Sequence, residues 1–72
     1  MAFDYSKLRG RIVEIFGTQA AFAEALGMSQ KSLSSKMTGK VFFSQDEINC
    51  AVDLLRINPI EINAYFFALK VQ

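Results

Sequence analysis

The segment from Ser29 to Lys40 holds the side chains best suited to chemistry, namely hydrogen bonding to a polar or anionic surface. Residues 27–43 contain three lysines and no acidic residue, a net charge of +3, whereas the rest of the chain has five basic and seven acidic residues, a net charge of −2. A basic face on a nearly neutral protein can bind a polyanion on one side only. Lysines that are simply solvated in loops are the alternative explanation of these charges.

Catalysis and metal binding have little support in the composition. The 72 residues include no His and one Cys, Cys50, which excludes an internal disulfide and removes most zinc ligands and the usual general base. The sequence has no Gly-rich phosphate loop and no nucleophile paired with a base. We therefore expect a protein that is not an enzyme and that has no metal, cofactor or small-molecule ligand.

Length and composition predict one globular domain over residues 1–72. About half of the chain is hydrophobic (51%) and 21% is charged, which is a globular balance. No apolar run approaches the roughly 18 residues of a membrane span, and the first ten residues show no signal-peptide core. These features predict a cytoplasmic protein with no membrane partner.

Capping residues and apolar spacing predict five helices. Ser44 to Glu47 reads as a capping box, and segments 19–26 and 30–37 lie between clear start and stop residues. The predicted N-caps are Asp4, Thr18, Ser29, Ser44 and Asn58, and the predicted stops are Gly17 and Gly27. Because no useful period-2 pattern occurs, the fold class is predicted as all-α, a compact five-helix domain.

The predicted core follows the helical period. Its members are Tyr5, Leu8, Ile12, Ile15, Phe16, Phe22, Ala23, Leu26, Leu33, Met37, Ile48, Ala51, Val52 and Leu55. Residues 41–43 are predicted to form an apolar loop over this core.

A helix-turn-helix is predicted over about residues 18–38. Ala23 would lie where the two helices cross, and Gly27 would leave the first helix with positive φ. With Leu33 and Met37 inward, the second helix presents a polar face whose members are Lys31, Ser32 and Ser35, with Gln30 at its N-terminal tip. A major groove accepts such a helix, because Gln can pair with adenine and Lys with guanine.

The segment 19–33, QAAFAEALGMSQKSL, resembles the helix-turn-helix of the Cro/C1-type phage repressor family, with Gln19, Ala23, Gly27 and Leu33 in register. Residues 34–40, SSKMTGK, resemble the end of the recognition helix in small Cro-like proteins from temperate phages of Gram-positive bacteria. The resemblance implies a lambda-repressor-like DNA-binding domain whose recognition helix, about 30–37, enters the major groove. Lys36 stands where the family usually has an apolar residue, so we expect Met37 to take the buried position.

The same resemblance implies which residues contact double-stranded operator DNA. They are Gln19, Ser29, Gln30, Lys31, Ser32, Ser35, Lys36 and Lys40. Gln19 would hold a phosphate, whereas Lys40 and the backbone near Ser44 and Gln45 would hold the flanking phosphates. Ser29, Gln30, Lys31 and Ser35 would face base edges, since positioning and specificity are separate tasks. Such a protein would be a Cro-like repressor of a phage lysis–lysogeny switch.

The last predicted helix has two apolar stripes where a surface helix needs one. The first comprises Ile62, Tyr65, Phe66 and Leu69, and the second comprises Ile60, Ala64, Phe67 and Val71. The second stripe predicts an interface, which in a Cro-like protein would form a twofold homodimer reading two half-sites. The alternative is that Phe67 packs on Phe42 or Phe43 of the same chain.

A different function is open on the same fold. The chain also resembles the small phage proteins called modulators of repression or antirepressors, which bind a full-length repressor and alter its DNA affinity. The low total charge and the apolar last helix favour this alternative, whose partner would be a cognate phage repressor. A bacterial antitoxin or housekeeping regulator of this fold is a third interpretation.

Overall fold

Local start and stop signals divide the chain into five α-helices, as the sequence predicts. The computed structural model describes residues 3–70. The helices are α1 (Ser6–Phe16), α2 (Gln19–Leu26), α3 (Gln30–Met37), α4 (Gln45–Leu55) and α5 (Ile62–Phe66), with a 3₁₀ turn at Pro59–Glu61 before α5. Within residues 3–70, extended pairing is confined to one isolated antiparallel bridge. None of the helices described in this range has the length and apolar composition of a membrane span.

Three helix starts are fixed by a capping side chain. Thr18 accepts the backbone N–H of Ala21 at 3.2 Å, and Ser29 accepts that of Ser32 at 3.1 Å. Ser44 forms the predicted capping box at the start of α4. Because each cap satisfies a backbone donor that the helix itself leaves unpaired, α2, α3 and α4 begin where the sequence predicts.

The start of α1 differs slightly from the prediction. The residue before the helix is Tyr5, whose side chain makes no capping bond, rather than Asp4. Asp4 still stabilises the first turn, because its carboxylate accepts the Ser6 N–H at 2.9 Å and the Ser6 hydroxyl at 2.6 Å. These hydrogen bonds hold the pKa of Asp4 below its usual value.

One hydrophobic core joins all the helices. Its buried members are Tyr5, Leu8, Ile12, Phe22, Ala23, Leu33, Met37, Phe43, Ala51, Leu55, Ile57 and Phe66. The predicted burial of Met37 is confirmed. Ile15 was predicted inside but is 40% exposed, because Phe16 takes the inward position at the end of α1 and packs on Phe22 with ring centroids 5.3 Å apart.

The C-terminal segment is less helical than its apolar stripes predict. The helix ends at Phe66, and Phe67 has left helical geometry with φ −126° and ψ 11°. The chain then crosses the N-terminus, where Leu69 bridges to Phe3 and the Asp4 N–H donates to the Ala68 carbonyl. The predicted stripe of Ile60, Ala64, Phe67 and Val71 therefore does not lie along one helix, and Val71 is outside the described residues.

Candidate functional site

The predicted functional segment consists of two helices joined by a short turn. α2 ends at Leu26, and Gly27 adopts the left-handed conformation with φ 78° and ψ 25°. The next residue, Met28, donates its N–H to the Ala23 carbonyl at 3.0 Å, and Ser29 then caps α3. Ala23 is fully buried, so the small side chain sits in the packed core as predicted. The turn thereby fixes the position at which α3 begins relative to α2.

The outward side of α3 carries the predicted contact residues. Gln30, Lys31 and Ser32 are exposed and Ser35 is half-buried. Two open depressions flank the helix. One of about 620 Å³ is lined by Gln30, Lys31, Ser34, Ser35, Thr38 and Lys40, and one of about 250 Å³ is lined by Ser29, Lys31, Ser32, Ser35, Lys36 and Val41. The structure thus brings together seven of the eight predicted residues.

Gln19 is the predicted contact that stands apart. It is half-buried at the start of α2 and lines neither depression. Ser29 lies at the edge of the α3 surface, but its hydroxyl already accepts the Ser32 N–H and donates to the Ser32 hydroxyl at 3.1 Å. The two serines therefore use part of their hydrogen-bonding capacity on the helix start itself.

Lys36 does not point away from the protein as predicted. Its side chain is only 13% exposed, and its Nζ lies 3.1 Å from Glu47 Oε1 and 3.3 Å from the Phe42 carbonyl oxygen. Lys36 is thus an ion-pair partner that joins α3 to the start of α4. Because its charge is already paired within the chain, it is a poorer candidate for a phosphate contact than Lys31 or Lys40.

The start of α4 is also unlike the predicted phosphate contact. The N–H of Ser44 donates to Glu47 Oε1 at 2.8 Å, so this backbone donor is already used. Asp46 and Glu47 both lie in the first turn, where their charges repel a phosphate. The hydrogen bond from Ser44 is the main cause that holds the pKa of Glu47 below its usual value, and Lys36 adds to it.

The loop after α3 only partly covers the core. Phe43 is buried as predicted, but Val41 is 50% exposed and Phe42 is 68% exposed. The exposure of these two residues differs from the prediction that residues 41–43 lie over the core. The apolar run of three residues could have predicted some exposure, because a short loop cannot turn three successive side chains inward.

Aromatic side chains line a further cavity of about 260 Å³. Its walls are Phe3, Tyr5, Phe42, Phe43, Ile48, Phe66 and Phe67. The ring of Phe67 packs edge-on against Phe3 with centroids 5.7 Å apart, so this residue has an aromatic partner within its own chain. The alternative drawn from the sequence had named Phe42 or Phe43 as that partner. Of the other predicted interface residues, Ala64 is exposed and Ile60 is 87% exposed on the 3₁₀ turn.

The chain is similar to a family of proteins and to a solved structure. The family described as "Protein of unknown function (DUF739)" matches residues 1–69. The solution structure of the modulator of repression of the temperate bacteriophage TP901-1 from Lactococcus lactis is similar, with a TM-score of 0.82 and 47% sequence identity. That alignment covers 100% of this chain and 97% of the phage protein. Among proteins with curated descriptions, none matches this sequence.

Proposed function

This chain belongs to the DUF739 family, and we propose that it is a phage modulator of repression that acts by binding a phage repressor protein. The observation that carries this proposal is the similarity over the whole chain to a protein of that description. The function weighed second in the sequence analysis is thus favoured over direct repression. The expected place of action is the host cytoplasm, where repressor and operator meet.

The charge around α3 supports a protein partner. When the first turn of α4 is included, residues 27–47 hold three lysines and two carboxylates, a net charge of +1. One of those lysines, Lys36, is paired with Glu47. Protein–DNA interfaces are strongly positive because they neutralise several phosphates. The other two lysines, Lys31 and Lys40, have no carboxylate partner among residues 3–70. Two such charges provide little electrostatic attraction for operator DNA.

The exposed apolar side chains beside α3 support the same conclusion. Phe42 is 68% exposed, compared with 46% for Phe67. Val41 lines a depression together with the polar residues of α3. Aromatic side chains are enriched at protein–protein interfaces, where they anchor the contact. A surface that mixes exposed aromatic and polar groups is better suited to a folded partner than to a phosphate backbone.

Direct operator binding is the second candidate. It is favoured by the exposure of Gln30, Lys31 and Lys40 along the depression of about 620 Å³. These are the residue types that pair with adenine, guanine and phosphate. In this case the chain would be expected to act as a homodimer on two half-sites.

A mobility shift with the phage's own intergenic DNA separates the two candidates. We expect the chain alone to give no sequence-specific shift, and we expect the shift caused by the cognate repressor to change when the chain is added. Gln30→Ala provides the matched variant for the second candidate, because it should cost about 1–3 kcal/mol on a specific site if Gln30 reads a base. A specific shift by the chain alone, lost in that variant, would favour the Cro-like function.

A further inference from the structure

Val41 and Phe42, which we call the loop tip, are exposed but firmly attached. The N–H groups of Lys40 and Val41 both donate to the Ser35 carbonyl, at 3.0 and 3.4 Å, and the Phe42 carbonyl accepts a hydrogen bond from Lys36 at 3.3 Å. The loop tip is thereby fastened to α3 on both sides of the exposed side chains. An exposed hydrophobic segment held in one conformation loses little further freedom when a partner binds it.

The ion pair between Lys36 and Glu47 is the central part of this attachment. The Glu47 carboxylate sits 3.1 Å from the Lys36 ammonium and also accepts the Ser44 N–H at 2.8 Å. Lys36 and Ser44 lie on opposite sides of the loop tip in the sequence, so the carboxylate joins both ends of the loop. The two side chains are 13% and 29% exposed, which reduces screening by solvent.

The loop tip is continuous with the polar surface of α3. Val41 lines the depression that also contains Lys31 and Ser32. Phe42 lines the aromatic cavity on the other side, where its ring lies 6.1 Å from that of Phe3. Val13 on α1, by contrast, is exposed but lines neither depression nor the aromatic cavity. Single hydrophobic residues of that kind are common on protein surfaces and indicate no partner.

We propose that the loop tip is the apolar anchor for the phage repressor, and that Lys36 is the residue that positions it. This inference rests on the proposed function. The occupant is a repressor surface with an apolar pocket bordered by carboxylates, because two exposed lysines lie next to the loop tip. Lys31 lines the same depression as Val41, and Lys40 directly precedes Val41 in the sequence. Such a surface is distinct from the basic surface with which a repressor binds DNA.

Affinity for the purified cognate repressor, measured by calorimetry, tests the anchor. Phe42→Ser should weaken binding about 30-fold, the loss expected when an interface anchor is removed, and Val41→Ser about tenfold. The matched control is Val13→Ser, which makes the same substitution at a similarly exposed residue (54% against 50%) on α1. We expect its affinity to equal that of the original chain.

The positioning role of Lys36 needs a readout that a loss of global stability would not produce. In Lys36→Met, backbone order parameters of residues 41–43 should fall while those of α1 and α4 stay the same, and affinity should drop about three- to tenfold. Lys36→Arg should restore both, because its guanidinium can donate to the same two acceptors. Lys7→Met, which removes an exposed ion pair with Glu61, is the control and should change neither.

Each outcome of these experiments decides a different question. If the original chain does not bind the repressor, the proposed function fails. If it binds and Phe42→Ser binds equally well, only the anchor is overturned. A third outcome is that the original chain self-associates in sedimentation and that Phe42→Ser does not. If repressor binding is unchanged in that variant, the loop tip binds a second copy of the chain, and the inference is overturned. Unchanged loop order in Lys36→Met would remove Lys36 from the positioning role.

Discussion

The segment 18–47 and the C-terminal segment 58–70 are built by different rules. In the first, each helix begins at a side-chain cap, and both α2 and α3 have the bounds that the sequence predicts. The second also starts at a predicted cap, because Asn58 accepts the Ile60 N–H at 3.0 Å. Its apolar pattern is typical of a long helix, but it forms a 3₁₀ turn, five residues of α-helix and an isolated bridge to Phe3. Local caps therefore fix where a helix starts in both segments, whereas apolar spacing alone does not fix how long the helix is.

The two segments also expose hydrophobic groups in different ways. The loop tip is held by hydrogen bonds to α3 and by a partly buried lysine. In the C-terminal segment, Ile60 is 87% exposed on a turn, and Phe67 rests against Phe3 through an aromatic contact. We expect the first to bind a partner, whereas the predicted homodimer contact of the second stays a prediction.

Two adjacent residues of the C-terminal segment should differ in their contribution to stability, and the loss at Phe66 is the greatest that we predict. Phe66 is 1% exposed and its ring lies 5.5 Å from that of Phe43, so Phe66→Ala should cost about 3–5 kcal/mol of unfolding free energy. In Phe67→Ser, where about half of the side chain is already exposed, the cost should be clearly smaller. Urea denaturation measures both. Equal costs would show that Phe67 is core and remove the distinction.

Phe67→Ser also tests the predicted homodimer. Sedimentation over a concentration series should show weaker self-association if the residues of the second stripe form an interface. An unchanged monomer–dimer equilibrium in a folded variant would remove Phe67 from that interface.

The turn between α2 and α3 should be more sensitive than the interior of α1. Gly27→Ala should cost about 1–2 kcal/mol, because a Cβ is strained at φ 78° even though no atom lies within 4 Å of it. Gly10→Ala, in the middle of α1 and equally unobstructed, should instead stabilise by about 0.5–1 kcal/mol. Thermal unfolding of the two variants should therefore shift in opposite directions. Two shifts of the same sign would contradict this reading of the turn.

Much of segment 18–47 could be predicted because its signals are local. The Thr18 and Ser29 caps and Gly27 each act within a few residues, and the bounds of α2 and α3 follow from them. The role of Lys36 could not be predicted in this way, because Glu47 lies eleven residues further along and no helical rule places the two together. For the same reason the exposure of Phe42 rather than Phe43 could not be predicted, because it depends on the whole fold, which buries Phe43 of this loop and leaves Phe42 exposed.

Acid should weaken the attachment of the loop tip. The pKa of Glu47 is lowered in the folded protein, mainly by the Ser44 N–H. The ionised carboxylate therefore stabilises the fold above its unfolded pKa of 4.5, and this stabilisation is lost as the pH falls through the lower pKa of the folded state. The effect should be less than about 1 kcal/mol, because the pair is partly exposed. Unfolding free energies measured from pH 6 downwards should decline less in Glu47→Gln. An identical decline would assign the acid sensitivity to other carboxylates.

The smallest effect is expected in the salt dependence of weak binding to random DNA. Lys40→Ala should flatten the slope by about one unit, because each neutralised phosphate contributes about 0.9. Lys36→Met should leave the slope unchanged, since that ammonium already pairs with Glu47. Fluorescence anisotropy with a labelled random duplex between low and moderate salt would compare the two. A similar change in both variants would mean that Lys36 is available to phosphate after all.

The most direct test of the account is the operator affinity of the cognate repressor, measured at increasing concentrations of this chain. If the chain acts on the repressor, the apparent Kd should move and then level off, or keep rising in proportion to the chain if the two ligands exclude one another. Phe42→Ser should need about 30-fold more protein for the same shift. An operator Kd that stays constant at every concentration, together with specific operator binding by the chain alone, would contradict the account.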